Sequence, residues 1–272
     1  KNVDDQTLAS KIIEDKIDVL IDLSSHTDLN RLSVFSRKPA PLQVTAVGLP
    51  ITTGLTSIDY YFGLHNFKNQ NFLECCVGLP SSAAYQPLDW MPPVNSLPAL
   101  KNGYITFGSF NRVGRITRSC IALWSRLLRE IPNSHFLFAG QSDKLTQIKF
   151  EKWFREEGIK SSRITFMANK SFHEYCYLHH KVDVHLMSVP FSGGTTISNA
   201  LWMGVPSLGL DPRGDQLDGG HQILCHVGLQ NFFTTNEDDF ISKGHHLANN
   251  FKELAGTRAT LREKFSTSEF CS

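Results

Sequence analysis

The chain has 272 residues, 41% of them apolar and 19% charged, which is the balance of a globular protein with one large domain or two small ones. Its formal net charge is +1, so no overall field attracts nucleic acid or an acidic membrane. No apolar run approaches the roughly 20 residues that a spanning helix needs, and no signal peptide is visible. Six cysteines without a CxxC pair predict neither a zinc site nor a disulfide framework, and they favour a cytoplasmic location.

The first part of the chain reads as short helices and strands separated by polar loops. Apolar side chains recur at helical spacing near the start, and two apolar runs follow that have the length of strands. Paired prolines end the second helix. The predicted elements are a helix over residues 7–16, a strand over 17–23, a helix over 30–36 and a strand over 42–47.

A change of composition divides the chain. Residues 87–101 hold four prolines and show no periodic pattern, which is typical of a linker. We therefore predict a first domain over 1–90, a linker over 91–102 and a second domain over 103–272.

The second domain alternates strands and helices regularly, which predicts a parallel sheet covered on both faces. Ligands of such sheets bind beyond the carboxyl ends of the strands, so the loops after Phe107, Phe166, Leu186 and Leu210 should line one site. The predicted strands are 104–107, 135–139, 163–166, 182–186 and 207–210, and the predicted helices are 118–130, 146–157, 173–180, 196–203 and one that starts at 222.

Residues 190–196 are the most informative segment, because a loop with two glycines and two threonines leads into a helix. Gly193 and Gly194 let a ligand approach the backbone closely, and Thr195 or Thr196 is suited to cap the helix. The N-terminus of a helix attracts phosphate. The pattern fits a diphosphate site, and it equally fits an ordinary strand-to-helix connection.

A second candidate is the loop over residues 108–115, which follows the first strand of the second domain. It contributes Asn111, Arg112 and Arg115. Arginine makes forked, charge-assisted bonds to phosphate oxygens, so both arginines are candidates for the same anion. The alternative is a solvated basic loop.

Two further side chains are candidates for ligand contact. His26 lies in a polar loop after a strand, where it could contact a sugar or act as a base, and Asp22 could orient it. Tyr175 could stack on a nucleobase. The alternatives are a hydrogen-bonded surface histidine and ordinary helix packing.

Other chemistries have little support. Histidines 179, 180 and 185 do not form a metal motif, and we predict no metal. The GxSxG, Walker A and GxGxxG patterns are absent, which disfavours a hydrolase elbow, nucleotide hydrolysis and hydride transfer.

Together these motifs resemble the catalytic region of the protein O-linked N-acetylglucosamine transferase and SPINDLY-type glycosyltransferases, with the bacterial members most similar. The resemblance covers nearly the whole chain, and several motifs in one order make it specific. The matching segments are residues 22–27, 39–44, 48–54, 59–60, 110–111, 190–196 and 200–206.

The resemblance implies an α/β fold of the GT-B type, with two Rossmann-like domains that have parallel sheets and face each other across a cleft. It implies that the N-terminal, acceptor-side domain is incomplete here and that the second domain holds the nucleotide. The implied reaction is an inverting, metal-independent transfer of N-acetylglucosamine from UDP-N-acetylglucosamine to a protein Ser or Thr. No cofactor is implied beyond this donor. Without a metal, the leaving diphosphate needs arginines and a helix N-terminus.

The resemblance also implies roles for phosphate-binding positions. Thr195 and Thr196 would hold the diphosphate, and Gly194 stands where animal members have a histidine. Arg115 matches a phosphate-binding lysine, so it would stabilise the leaving group, and Arg112 matches a glutamine beside it.

Other matching positions concern the base, the ribose and the sugar. Tyr175 falls where animal members have a base-contacting histidine, and Asn199 replaces a ribose-binding aspartate. Val47 and Gly48 match a backbone segment near the donor sugar. His26 is a candidate for contact with the acceptor or the sugar.

The chain departs from the family in three places. A histidine motif and tetratricopeptide repeats, which usually lie upstream, are missing. Met187 stands where an aspartate is usual, and the loop over 211–220 has Asp218 near the position of an arginine. The start at Lys1 and the last residues, 266–272, predict a fragment that lacks the family's closing helix.

Several functions therefore remain open. Related enzymes use GDP-fucose or transfer hexose to Asn. A sugar-nucleotide epimerase of the same fold would need a carboxylate pair, which the sequence does not show. A non-catalytic module that binds a nucleotide-sugar or a protein fits the departures at Gly194, Met187 and Asp218.

Overall fold

The computed structural model describes residues 3–46, 48–49, 51–64, 71–79, 85–140, 143–168, 171–212 and 219–271. The chain forms two compact units, Lys1–Ala84 with Cys271–Ser272, and Tyr85–Phe270. The boundary therefore precedes the predicted linker. The proline-rich segment packs within the second unit, because Arg262 donates to the Pro92 carbonyl and Arg258 to the Asn95 carbonyl.

The described residues of the first unit form a parallel sheet with strand order β1-β2-β3-β4 and two helices. Asp4 begins the first helix, since its carboxylate accepts from the Thr7 amide. The last two strands were not predicted. The elements are α1 (Asp5–Glu14), β1 (Val19–Asp22), α2 (Leu32–Phe35), β2 (Leu42–Ala46), β3 (Tyr60–Leu64) and β4 (Cys75–Leu79).

The second unit contains the regular alternation of strand and helix that the sequence predicts. Three of its helices, near the linker and at the end of the chain, were not predicted. The elements are α3 (Pro98–Asn102), β5 (Ile105–Ser109), α4 (Arg118–Glu130), β6 (Ser134–Ala139), α5 (Lys144–Glu156), β7 (Ile164–Met167), α6 (Phe172–Leu178), β8 (Val184–Leu186), α7 (Gly194–Trp202), β9 (Ser207–Leu210), α8 (Gly219–Cys225), β10 (Phe233–Thr234), α9 (Glu237–Asn249) and α10 (Phe251–Ser266).

All strands of the second sheet are parallel, in the order β10-β9-β8-β5-β6-β7. The chain starts in the middle of the sheet, winds to one edge, returns to the middle and winds to the other edge. This is the doubly wound order of a Rossmann-like domain. The predicted α/β class with parallel sheets is confirmed.

Aromatic side chains fill the core between the second sheet and its helices. Trp124 of α4 stacks on Phe136 at 5.0 Å between ring centroids, and Phe138 stacks on Phe166 at 5.0 Å. Every residue of β5 is buried. A central strand covered on both faces is buried along its whole length, although β5 includes the polar residues Thr106 and Ser109.

The C-terminal helix α10 returns to the start of the second unit. Arg258 is 1% exposed, and its guanidinium donates to the carbonyls of Asn95, Val182 and His179. This helix ends at Ser266, and whether a further helix closes the family's fold after residue 272 stays a prediction.

Candidate functional site

The reversal of strand order in the second sheet defines where its site lies. From β5 the chain proceeds through β6 to one edge of the sheet, and from the adjacent strand β8 it proceeds through β9 to the other edge. The loops that leave the carboxyl ends of these two strands therefore diverge and leave a crevice. One loop carries Asn111 and Arg115, and the other carries Gly193.

Helix α7 starts earlier than predicted. Gly193 is its N-cap with a left-handed φ of 86°, and no side chain caps the helix. The prediction that Thr195 or Thr196 caps it is wrong, because both threonines lie within the first helical turn. The amides of that turn have no acceptor inside the helix, so they are available to an anion.

Gly193 is the point at which the two loops meet. A Cβ placed on it would lie 2.6 Å from Nη1 of Arg115, 3.0 Å from Oδ1 of Asn111 and 3.5 Å from Oγ1 of Thr196. A cation, an amide oxygen, a hydroxyl and a helix N-terminus thus surround one small space. The combination of a guanidinium with first-turn amides is suited to a phosphate group.

Arg115 ends a short 3-10 turn, Val113–Arg115, and is exposed. Among the described residues, none forms an ion pair or hydrogen bond with its side chain. Arg112 begins the same turn and is also exposed, but no atom of it is among the three nearest to the Gly193 position. The structure therefore brings Arg115 to this point, and the role of Arg112 stays a prediction.

Asn111 is 1% exposed and lies under the site. Its Nδ2 donates to the Leu186 carbonyl at 3.3 Å and to Oγ of Ser109 at 3.1 Å, and it lies 3.4 Å from Nε2 of His185. Nδ1 of His185 in turn lies 2.9 Å from Oγ of Ser207. Sequence reasoning weighed His185 only as a metal ligand and did not consider Ser207, although a histidine inside an apolar strand was a visible signal.

Asn199 and Tyr175, which were predicted to contact the ribose and the base, make their contacts inside the protein. Asn199 is 5% exposed, and its Oδ1 accepts from the Tyr85 hydroxyl at 2.9 Å. The ring of Tyr175 stacks on Phe172 at 5.6 Å and meets Phe110 edge-on at 5.7 Å. Burial raises the pKa of the Tyr175 phenol. These contacts also fit a packing role, and the ligand roles stay predictions.

His26 of the first unit is exposed, and its ring is oriented by a carbonyl rather than by Asp22. Nε2 lies 3.1 Å from the Thr52 carbonyl, to which it donates, so Nδ1 is left as the acceptor in the neutral ring. Asp22 instead accepts from the amides of Ser24 and Ser25 at 3.0 and 2.8 Å. The suggestion that Asp22 orients His26 is therefore wrong.

A buried glutamate supports the His26 contact. Glu74 is 4% exposed and accepts from the Thr52 hydroxyl at 2.7 Å and from the Thr53 amide at 2.8 Å. Burial opposes its ionisation, but bonds from Thr53 and Thr52 outweigh burial and hold the pKa of Glu74 below its usual value. Glu74 precedes an unpredicted strand, so sequence reasoning did not single it out.

The remaining predicted positions have mixed outcomes. Gly48 packs against the loop of His26, since a Cβ on it would lie 2.8 Å from Cβ of Ser25. Val47 and Asp218 fall outside the described residues. Met187 is 1% exposed, so the position where relatives of the resembled family carry an aspartate holds a buried apolar side chain.

Neither a candidate metal cluster nor a candidate membrane-spanning helix is found among the described residues. No group of three or more His, Cys, Asp or Glu side chains in this part of the chain is placed to hold a metal ion. No helix among the same residues is long and apolar enough to cross a membrane.

A doubly wound unit with an arginine and a helix N-terminus at its strand reversal, preceded by a second parallel-sheet unit, has the GT-B architecture of glycosyltransferases. Within that class the chain belongs to glycosyl transferase family 41, whose sequence profile matches residues 2–66 and 95–272.

Plant and bacterial proteins are similar to this chain. A probable UDP-N-acetylglucosamine–peptide N-acetylglucosaminyltransferase SPINDLY of Eustoma exaltatum subsp. russellianum is 35% identical over 99% of the chain, and its Arabidopsis thaliana namesake is 33% identical over 99%. The chain spans 30% of the length of each. The Thermobaculum terrenum O-GlcNAc transferase, solved as a K341M mutant, superposes with a TM-score of 0.86 at 27% identity over 98% of this chain and 53% of its own.

Proposed function

We propose that this chain forms the donor-binding part, and a portion of the acceptor side, of a transferase that moves N-acetylglucosamine from UDP-N-acetylglucosamine to Ser or Thr of a protein. The observation that carries the proposal is the meeting of Arg115, Thr196 and the start of α7 at Gly193. The names of the similar plant proteins support this donor and a peptide acceptor, and the name of the similar solved structure supports O-linked transfer.

In the proposed reaction, an acceptor hydroxyl displaces the diphosphate at the anomeric carbon with inversion, without a metal. Negative charge grows on the leaving diphosphate, and the Arg115 guanidinium and the first-turn amides of α7 stabilise that charge. His26 stays the candidate for contact with a sugar or acceptor hydroxyl, with Nδ1 as its free ring nitrogen.

The whole protein is proposed to act in the cytoplasm and to carry tetratricopeptide repeats upstream of this chain. All six cysteines are free thiols, which suits a reducing compartment. The relatives are about three times as long, which leaves room for such repeats.

Calorimetric titration of the chain with UDP, GDP and their sugar conjugates, with and without EDTA, tests the donor site. We expect UDP to bind equally well in EDTA, and Arg115→Ala to weaken binding at least about tenfold, since a hydrogen bond to a charged group contributes about 1.5–3 kcal/mol. Arg155→Ala, which removes an exposed arginine of α5, is the matched control and should leave affinity unchanged.

The outcomes separate the related functions. A preference for GDP would redirect the proposal to fucose transfer, and labelled sugar on Asn of an acceptor peptide would redirect it to hexose transfer to Asn. Failure of a folded chain to bind any of these nucleotides would contradict the donor site.

A non-catalytic module that binds a nucleotide-sugar is the second candidate. The buried apolar side chain of Met187, where the resembled family has an aspartate, favours it. UDP binding without transfer to any acceptor peptide by the full-length protein would support this candidate over the enzyme.

A further inference from the structure

The two polar atoms of the Asn111 side-chain amide differ in their hydrogen bonding. Nδ2 has three acceptors within 3.4 Å, namely Oγ of Ser109, Nε2 of His185 and the Leu186 carbonyl. Oδ1 is buried and has no hydrogen-bond partner among the described residues. A buried, unpartnered acceptor costs stability, so its retention calls for an explanation.

The orientation of this amide is fixed by its neighbours. The Leu186 carbonyl only accepts, so the nitrogen of Asn111 must face it. Because Nδ2 donates, Nε2 of His185 accepts, and its Nδ1–H donates to Oγ of Ser207. His185 and Ser207 are register partners on the adjacent strands β8 and β9, so the sheet itself holds this chain of bonds.

The unpartnered oxygen points to the place where Arg115 lies. Oδ1 of Asn111 and Nη1 of Arg115 are both among the three atoms nearest to the Cβ position of Gly193, at 3.0 and 2.6 Å. Arg115 has no other partner among the described residues. A rotation of its exposed side chain would bring an N–H to the amide oxygen.

We propose that Asn111 is a positioning residue, whose Oδ1 accepts a hydrogen bond from the Arg115 guanidinium and holds it over the start of α7, while His185 and Ser207 keep Asn111 in the required orientation. The guanidinium has five N–H donors, so one bond to Asn111 leaves the others for an anion. A pre-oriented arginine loses less conformational freedom when it binds. The identity of the anion as a nucleotide diphosphate rests on the proposed function.

A double-mutant cycle on UDP binding tests the proposal. We expect Asn111→Ala to weaken UDP binding about fivefold in the wild-type background and to have no further effect in the Arg115→Ala background, because Asn111 acts through Arg115. Losses that multiply in the double variant would overturn the proposal. Phe154→Leu, in the core of the same unit, is the control for general destabilisation and should leave affinity unchanged.

A second measurement does not depend on the nucleotide. Nitrogen-detected NMR of the arginine side chains in the ligand-free protein, with the Arg115 signal assigned by its loss in Arg115→Lys, reports rotation of the guanidinium. Restricted rotation that is lost in Asn111→Ala and His185→Leu but retained in Phe154→Leu supports the proposal. Free rotation in the wild-type protein overturns it. Absence of UDP and GDP binding together with restricted rotation would contradict the proposed function alone.

Discussion

Gly193 combines two requirements that a single residue type satisfies. Its φ of 86° is in the left-handed region, which residues with a Cβ avoid. A Cβ would also lie 2.6 Å from Nη1 of Arg115, inside van der Waals contact. The glycine therefore permits both the turn into α7 and the approach of the arginine.

Gly193→Ala should accordingly damage binding more than folding. We expect UDP affinity to fall more than tenfold because the methyl group displaces Arg115, while backbone strain lowers the free energy of unfolding by about 1–2 kcal/mol. Calorimetry and urea unfolding measure the two effects. Gly256→Ala, at a helical glycine with open space around it, is the control. Unchanged affinity in Gly193→Ala would contradict the assigned site.

The sequence predicts most residues of this site. It does not predict which of these side chains form hydrogen bonds inside the protein instead of facing a ligand. Gly193 and Arg115 were identified because glycine and arginine have characteristic roles near phosphate. The bond of Asn199 to Tyr85 joins residues 114 positions apart, and local patterns carry no information about such a pair. For the same reason the sequence did not predict the hydrogen bond from Thr52 to Glu74, which joins residues 22 positions apart.

At the scale of elements, α10 joins the end of the second unit to its beginning. Arg258 supplies the bonds, and burial lowers its pKa to about 10. Its guanidinium also donates to Oδ1 of Asn95 at 2.5 Å. An arginine at a buried position interrupts the apolar pattern of the helix, which explains why the sequence did not predict this element. The strands β3 and β4 were missed because glycines and adjacent cysteines weaken their strand pattern.

Arg258→Lys should loosen this connection. An ammonium group cannot reach the carbonyls of Asn95, Val182 and His179 together, so we expect the free energy of unfolding to fall by about 2–4 kcal/mol. Urea unfolding followed by tryptophan fluorescence measures the loss. Arg155→Lys on the exposed face of α5 should change it by less than about 0.5 kcal/mol. Equal stability of the two variants would show that the buried guanidinium is dispensable.

At the scale of the whole molecule, buried ionisable groups in the second unit make stability depend on pH. Burial lowers the pKa values of His179 and His185 to about 3, and it raises the pKa of Asp183 to about 6. The histidines contribute stability that is present above pH 6.5 and is lost as pH falls. Asp183 acts in the opposite direction, since its contribution is present below pH 3.8 and is lost as pH rises through about 6.

Between pH 6.5 and 5 the two histidines outweigh the single aspartate. We expect the free energy of unfolding to fall by about 2 kcal/mol on acidification over this range, from about 1.4 kcal/mol per pKa unit. His185→Gln should remove most of that fall, because one histidine then nearly balances Asp183. Urea titrations at both pH values measure it, and a fall of equal size in the variant would contradict the assignment to His185.

The bonds between Arg258 and Asn95 have a consequence for synthesis of the protein. These residues are 163 positions apart, so the start of the second unit is made long before its partner leaves the ribosome. Until then the carbonyls that α10 covers stay in water, and the growing chain holds an unfinished domain that is open to proteases and chaperones. Folding of this unit is completed only after α10 has left the ribosome, and it requires a contact between distant parts of the chain.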